Sequence, residues 1–238
     1  MRSPALTMAV LSAMALLAGC SSTPAQDAPV VDIADAAVPS PSRALDQVLP
    51  TADELATMLG ASGFMGQLVS GGADMLLQGV REAEATPADC VSTGYRLEKI
   101  VYQTSPVRSV ATQSWAGGDA TGPSSTGFFG VVQVATADDA QAFFAASADK
   151  WHRCNGQTVV LSQPERRSAS SSRISDVTVD DRIVSAVVMH DDGSTVQRAL
   201  GIASDCVVDV EISDAGASGG AHDAVAIANL MLQKVGQG

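Results

Sequence analysis

Hydrophobic and polar positions divide this chain into three stretches of different character. Residues 5–18 are almost wholly apolar, interrupted only by Thr7 and Ser12. Residues 21–44 are polar and small, with no aromatic side chain. Periodic patterns begin only after that. Thr51-Ala52-Asp53-Glu54 has the form of a capping box, in which the Thr51 hydroxyl accepts from the third N–H while Glu54 reaches back. Leu55, Met58 and Leu59 follow on one helical face, and Gly60 ends it. A second, glycine-broken helix is expected around 73–84.

Strand patterns follow at Leu97–Thr104 and Val107–Trp115, separated by the turn signal Ser105-Pro106. Gly117–Gly127 reads as a polar loop, and Phe128–Ala135 as a strand. Thr136 is placed to cap a helix whose stripe is Ala140, Phe143, Phe144 and Ala148, running to Trp151. Beyond it come strands at 158–163, 174–179, 183–190, 195–203 and 206–212. Asp180-Asp181 and Asp191-Asp192-Gly193 supply turns, and 165–173 and 213–220 are loops. Residues 221–235 close as a helix with Ala224, Ile227, Met231 and Val235 on its apolar face. No internal repeat is evident. The order helix, strands, helix, strands, helix predicts an α+β domain, a central twisted antiparallel sheet with helices packed on one face.

The first two stretches change the picture. Arg2 followed by the apolar run is the layout of a secretory signal, too short for a membrane span of about 20 residues. It ends in Leu17-Ala18-Gly19-Cys20, which resembles the bacterial lipobox. There the cysteine thiol takes a diacylglyceryl group and becomes the new N-terminus. Residues 1–19 are therefore expected to be a lipoprotein signal peptide, with Cys20 lipidated. Two acyl chains anchor stably where one holds only marginally. Residues 20–47 are expected to form a flexible tether, since they cannot bury enough apolar surface to offset ordering entropy. The folded unit is expected over 48–236, displayed on the outer face of the cytoplasmic membrane.

Composition excludes some functions. The 238 residues carry a net charge of −12, so no nucleic-acid partner is expected. Aromatics make up 4% of the chain against 46% hydrophobic residues in all, so aliphatic side chains must fill the core. No motif implies a metal or an organic cofactor. The three histidines, His152, His190 and His222, fall at helix ends or turns, and no G-x-S-x-G elbow occurs. The paired aspartates sit where caps and turns want them, rather than across a cleft. No catalytic residue is assigned. With Cys20 set aside, Cys90, Cys154 and Cys206 allow three pairings for one disulfide.

Trp151-His152-Arg153-Cys154-Asn155-Gly156 is a helix ending in W-x-x-C-x-G. With Gln197-Arg198-Ala199-Leu200, then Val207-Val208-Asp209-Val210 and a closing helix, it resembles the PknH-like extracellular sensor domain family, over roughly residues 48–236. The resemblance implies an α+β fold with a central antiparallel sheet, a cleft for a ligand, and disulfide bridges, with no catalytic residues to carry over. Family members commonly hold two bridges. Here Cys90 and Cys154 match the surroundings of the first pair, the second pair is lost, and Cys206 stands where the family has a polar residue. The resemblance thus implies a Cys90–Cys154 bridge with Cys206 a buried thiol outside it; Cys154–Cys206 is the rival. The expected function is a lipid-anchored sensor or ligand-binding module, not an enzyme. Its ligand would be a small amphiphile or cell-wall fragment, with Arg108, Trp115 and Arg198 as cleft residues and Trp151 more at home in the core. The alternative is an interaction module for an envelope protein or receptor kinase.

Overall fold

The computed structural model describes residues 44–81, 84–119, 122–163, 168–214 and 221–237. The signal, Cys20 and nearly all of the expected tether lie outside these residues. Ten strands form one sheet: β1 (Gly63–Met65), β2 (Val69–Gly71), β3 (Ala85–Thr86), β4 (Val107–Asp119), β5 (Gly122–Val134), β6 (Thr158–Gln163), β7 (Ser168–Val179), β8 (Ile183–His190), β9 (Thr195–Ala203) and β10 (Cys206–Asp214). Their spatial order is β1-β4-β5-β10-β9-β8-β7-β6-β3, with β2 also on β4. Every pairing between these strands is antiparallel. The helices are α1 (Ala52–Leu59), the single turn α2 (Val91–Gly94), α3 (Ala137–Cys154) and α4 (His222–Gln237). The class is α+β.

Local signals set the helix ends. The Thr51 hydroxyl accepts from Glu54 N–H at 3.3 Å, and the Glu54 carboxylate accepts from Thr51 N–H at 2.7 Å. Gly60 closes α1 in the left-handed region at φ 69°, where a Cβ would be strained. Thr136 caps α3 by accepting from Asp139 N–H at 3.1 Å, and the expected stripe is buried. The N-terminus of α4 is capped from a distance. Gln197 on β9 accepts from Asp223 N–H at 2.9 Å and Ala224 N–H at 3.3 Å.

The helices do not share one face of the sheet, as the sequence suggested; they lie on both. Period-2 alternation along the central strands explains why. Val132, Val134, Leu200, Ile202 and Val207 point to a core with Phe143, Phe144 and Trp151 of α3. Val131, Ala199, Val208, Val210 and Ile212 point to a second core with Leu55 of α1 and Ile227, Met231 and Val235 of α4. The apolar runs in β5 and β10 are the mark of strands covered on both sides. Leu45, inside the expected tether, is already buried in the second core. Lys234 ties α4 to α1, donating to the Glu54 carboxylate at 2.6 Å and to Leu49 O at 2.9 Å.

Four further expectations change. Residues 168–173, expected in a loop, are the first half of β7, paired with β6 from Thr158↔Arg173 to Gln163↔Ser168. The segment 97–104 is not a strand: Leu97 takes φ 47° and Lys99–Tyr102 form a 3-10 turn that buries Tyr102. The segment 73–81 keeps only a 3-10 turn, Ala73–Met75, of the expected second helix, and then runs beside 97–99 through Leu77 N–H to Leu97 O at 2.9 Å and Lys99 N–H to Leu77 O at 2.7 Å. The glycine-rich 117–127 is not a loop but the far end of the β4–β5 hairpin, through the pairs Gly117↔Ser125 to Asp119↔Gly122. Gly117 in it and Gly63 opposite, on β1, serve an indole. A Cβ on Gly117 would stand 2.0 Å from Trp115 Cη2, and one on Gly63 2.3 Å from Trp115 Nε1.

Cys90 and Cys154 are disulfide-bonded, joining the α2 turn to the end of α3 across 64 residues of sequence. Cys206 is a buried thiol outside the bridge, its Sγ 3.7 Å from Asp205 Oδ1. Replacing Cys90 with Ser should cost about 2–5 kcal/mol of unfolding free energy. Denaturant titration of Cys90→Ser beside the parent chain checks this, with Cys206→Ser leaving the bridge in place as the comparison.

Candidate functional site

The first face of the sheet is not covered to its end. α3 and the 91–102 segment pack over β7–β10 and the near half of β5, and beyond them the sheet faces a cavity of about 510 Å³. The register gives the floor in rows. Phe64, Ala116, Thr126 and Ser213 lie side by side across β1, β4, β5 and β10, and Ser114, Phe128 and Glu211 form the next row. The floor is therefore mostly small side chains. Phe64 stands at the outer rim, 86% exposed. Phe128, Arg96 and Glu211 make the opposite wall.

That wall is built on a buried ionic chain. The Arg96 guanidinium lies over the Phe128 ring at 4.2 Å from its centroid, a favourable cation–π distance. Its Nη1 donates to Glu211 Oε1. The other Glu211 oxygen is 3.9 Å from Arg198 Nε. Arg198 is 0% exposed and is the cross-strand neighbour of Glu211. It donates to Asp209 Oδ1 at 2.7 Å and to Thr93 O at 3.2 Å. Asp209 also accepts from Leu97 N–H at 2.9 Å. Burial pushes the Asp209 carboxyl above its usual range, against the pull of Arg198 beside it. Next to this chain, Glu98 is buried and accepts from Val80 N–H at 3.0 Å. Burial raises its carboxyl too, opposed by the Val80 and Gly79 amides and by Arg96 and Arg198.

The residues singled out from sequence fall differently. Trp115 lines the cavity, with its ring in the second core and its indole N–H buried without a hydrogen-bond acceptor. Arg198 lies one step behind the wall and holds Glu211 and Asp209. Trp151 is fully buried in the first core, 5.7 Å from the Arg198 guanidinium. Arg108 is exposed at the register irregularity between Val107 and Ser109, six residues from Ser114. At 3.3 Å per residue that is about 20 Å from the cavity floor.

Sequence reading missed Phe64, Arg96, Phe128 and Glu211. A signal for Glu211 existed: in Cys206-Val207-Val208-Asp209-Val210-Glu211-Ile212 the two acids share one face of a buried strand, and such charges require partners. The Ser172 hydroxyl meets His190 Nδ1 at 2.9 Å. The two residues face each other across β7 and β8, and Ser172 is 1% exposed, so the contact pins strands and offers no nucleophile to solvent. Among the described residues no group of three or more His, Cys, Asp or Glu is placed to hold a metal, and no helix is long and apolar enough to cross a membrane.

The family model of the PknH-like extracellular domain matches residues 40–234, and the chain belongs to that family. The unit is therefore an extracytoplasmic domain. The crystal structure of the extracellular domain of PknH from Mycobacterium tuberculosis has the same fold, with a TM-score of 0.70 at 22% identity, covering 84% of this chain and 98% of that one. An uncharacterised protein from Mycobacterium smegmatis aligns at 11% identity and a TM-score of 0.42, over 82% of this chain and 97% of that one. No curated protein matches.

Two measurements probe the ionic chain. Arg198→Met strands Asp209 as an unpaired buried charge and should cost about 3–5 kcal/mol. Adding Asp209→Asn, which keeps an acceptor for Leu97 N–H, should restore part of it; urea titrations of both variants check this. Glu98 predicts a pH slope. Well below its ordinary 4.5 it is protonated folded or unfolded. As pH rises from there toward its higher folded value, the unfolded chain gives up the proton first and stability falls, levelling off once the folded carboxyl has ionised too. Just above pH 4.5 the parent should therefore lose stability with rising pH more steeply than Glu98→Gln, measured as the difference in slope of unfolding free energy against pH.

Proposed function

We propose that this chain is a lipid-anchored, extracytoplasmic ligand-binding lipoprotein that senses rather than catalyses. The observation that carries the reading is the open cavity, floored by Ser114, Ala116, Thr126 and Ser213 and framed by Phe64 and Phe128. A concave, part-apolar site with a few convergent polar groups is the usual form of a small-molecule site. The aromatic frame suits an acyl chain or the apolar face of a sugar ring. Arg96 and Glu211 are already paired with each other, so the wall offers hydrogen bonds without a large net charge. This favours a small amphiphile or a cell-wall fragment with a neutral or zwitterionic head over a bare anion. The family's extracellular placement and the lipobox-like Leu17-Ala18-Gly19-Cys20 support an anchor at Cys20, with residues 21–43 as spacer.

Thermal shift with lysophosphatidylcholine, dodecanol and a muropeptide as probes tests the site. A probe that fits should stabilise the parent by about 2.7 kcal/mol at a hundredfold excess over Kd, and should fail to stabilise Ala116→Trp, whose indole fills the floor. No shift with any probe, or equal shifts in the variant, would overturn the reading. For the anchor, Cys20→Ser should move the protein from the membrane to the soluble fraction and abolish fatty-acid labelling.

A further inference from the structure

A second opening lies within the layer that covers the first face, between α3 and the segment 92–106. It encloses about 220 Å³ and shares no lining residue with the cavity at Phe64 and Phe128. Asp139, Phe143, Ser147 and Lys150 line one wall, and their spacing puts them on one stripe of the helix. Ser92, Val101, Thr104 and Pro106 line the other. The Cys90–Cys154 bridge ties the two walls together at one end, and the buried Tyr102 ring stacks on Phe143 with centroids 4.6 Å apart. The groove is thus held in shape by a covalent bond and a ring stack. Its polar groups are not used up within the fold. Ser92 is 7% exposed and its hydroxyl has no hydrogen-bond partner, which costs stability until something in the groove takes the bond. Ser147, on the facing wall, is 4% exposed. Opposite charges stand at the two ends. Asp139 accepts from the Thr136 hydroxyl on Oδ2 at 2.7 Å, and a carboxylate has acceptor capacity beyond one bond. Lys150 Nζ is 3.9 Å from Asp89 Oδ1, a loose pair of solvent-exposed side chains. Eleven residues of helix at 1.5 Å each set the Asp139 and Lys150 backbones about 16 Å apart.

We propose that this groove binds a short linear peptide with free ends, its ammonium at Asp139 and its carboxylate at Lys150. The end charges select the ligand. A polyanion would meet Asp139, with Asp138 next to it in the first turn of α3, and a polycation would meet Lys150; only a molecule with opposite charges at its two ends suits both. An extended chain spans about 3.3–3.6 Å per residue, so about four residues reach from end to end, the Asp139 and Lys150 side chains making up the rest. Between the ends, the hydroxyls of Ser92, Thr104 and Ser147 can serve peptide amides and carbonyls, since each both donates and accepts. Val101, Phe143 and Pro106 offer apolar contact, and the narrow volume admits side chains as small as that of alanine. Binding here does not depend on the cavity being a ligand site.

Tetra-alanine is the probe, titrated calorimetrically into the full chain in detergent, and one peptide should bind per chain. N-acetyl-tetra-alanine and tetra-alanine amide should each bind about threefold weaker or more, the scale of an ion pair in contact with solvent. With Lys150→Met the acid and the amide should bind alike. With Asp139→Asn the acetylated and free-amine peptides should bind alike. Ala146→Trp, at an exposed position on the groove, should weaken binding about tenfold or more by filling it, with the melting transition unchanged. Ala116→Trp, in the other cavity, should leave binding intact. Absence of binding to the parent chain would overturn the proposal. So would affinity indifferent to capping either end, an end preference that survives the matching variant, or loss of binding in Ala116→Trp in place of Ala146→Trp.

Discussion

Arg198 is the residue on which the working face of this protein depends. A guanidinium with no solvent exposure must find acceptors or cost several kcal/mol, and it finds them on two elements at once: the Asp209 carboxylate on β10 and the Thr93 carbonyl on the α2 turn. Asp209 in turn takes the Leu97 amide. Together they clamp the 93–97 segment onto the sheet. Leu97 then presses its side chain where a Cβ on Gly130 would stand 2.2 Å from Leu97 Cδ1, and Arg96 is left over Phe128 beside Glu211. The cavity wall is thus the outer end of a clamp whose inner end is buried.

The disulfide holds the other end of the same region. Cys90 begins the turn that carries Thr93, and Cys154 ends α3, whose Trp151 backs Arg198. The single bridge of the folded unit is spent where backbone is least regular, on 3-10 turns and short extended pieces that have few ladder bonds of their own. The sheet needs no such help, since its central strands are covered on both faces.

Where local chemistry decides, the sequence was readable. The capping box at Thr51, the stripe of α3, the cap at Thr136 and the strands at 158–163, 183–190, 195–203 and 206–212 follow from hydrogen-bonding side chains and periodicity; the serine-rich first half of β7 did not show itself. Where long-range packing decides, it was not. Gly117 reads as a loop residue, but it and its partner Gly63 are glycine because an indole lies against them. Leu97 to Tyr102 alternate like a strand, but Glu98 turns inward to the Val80 amide and Leu97 takes a left-handed backbone. Helix placement differs for another reason: the order of elements alone suggested one covered face, while the both-sided apolar runs of β5 and β10 are the local mark of two. Of the site, Trp115 and Arg198 stood out by type. Arg96 and Phe128 carry no local mark, since only the clamp brings them together.

Native-state hydrogen exchange at the Leu97 amide tests the clamp most directly. If Asp209 and Arg198 lock the 93–97 segment to the sheet, this amide should exchange only through global unfolding, with the same free energy and denaturant dependence as the amides of Val208 and Val210. Exchange through a local opening, at a free energy well below theirs and insensitive to denaturant, would show that the segment lifts off the sheet by itself and would contradict the account.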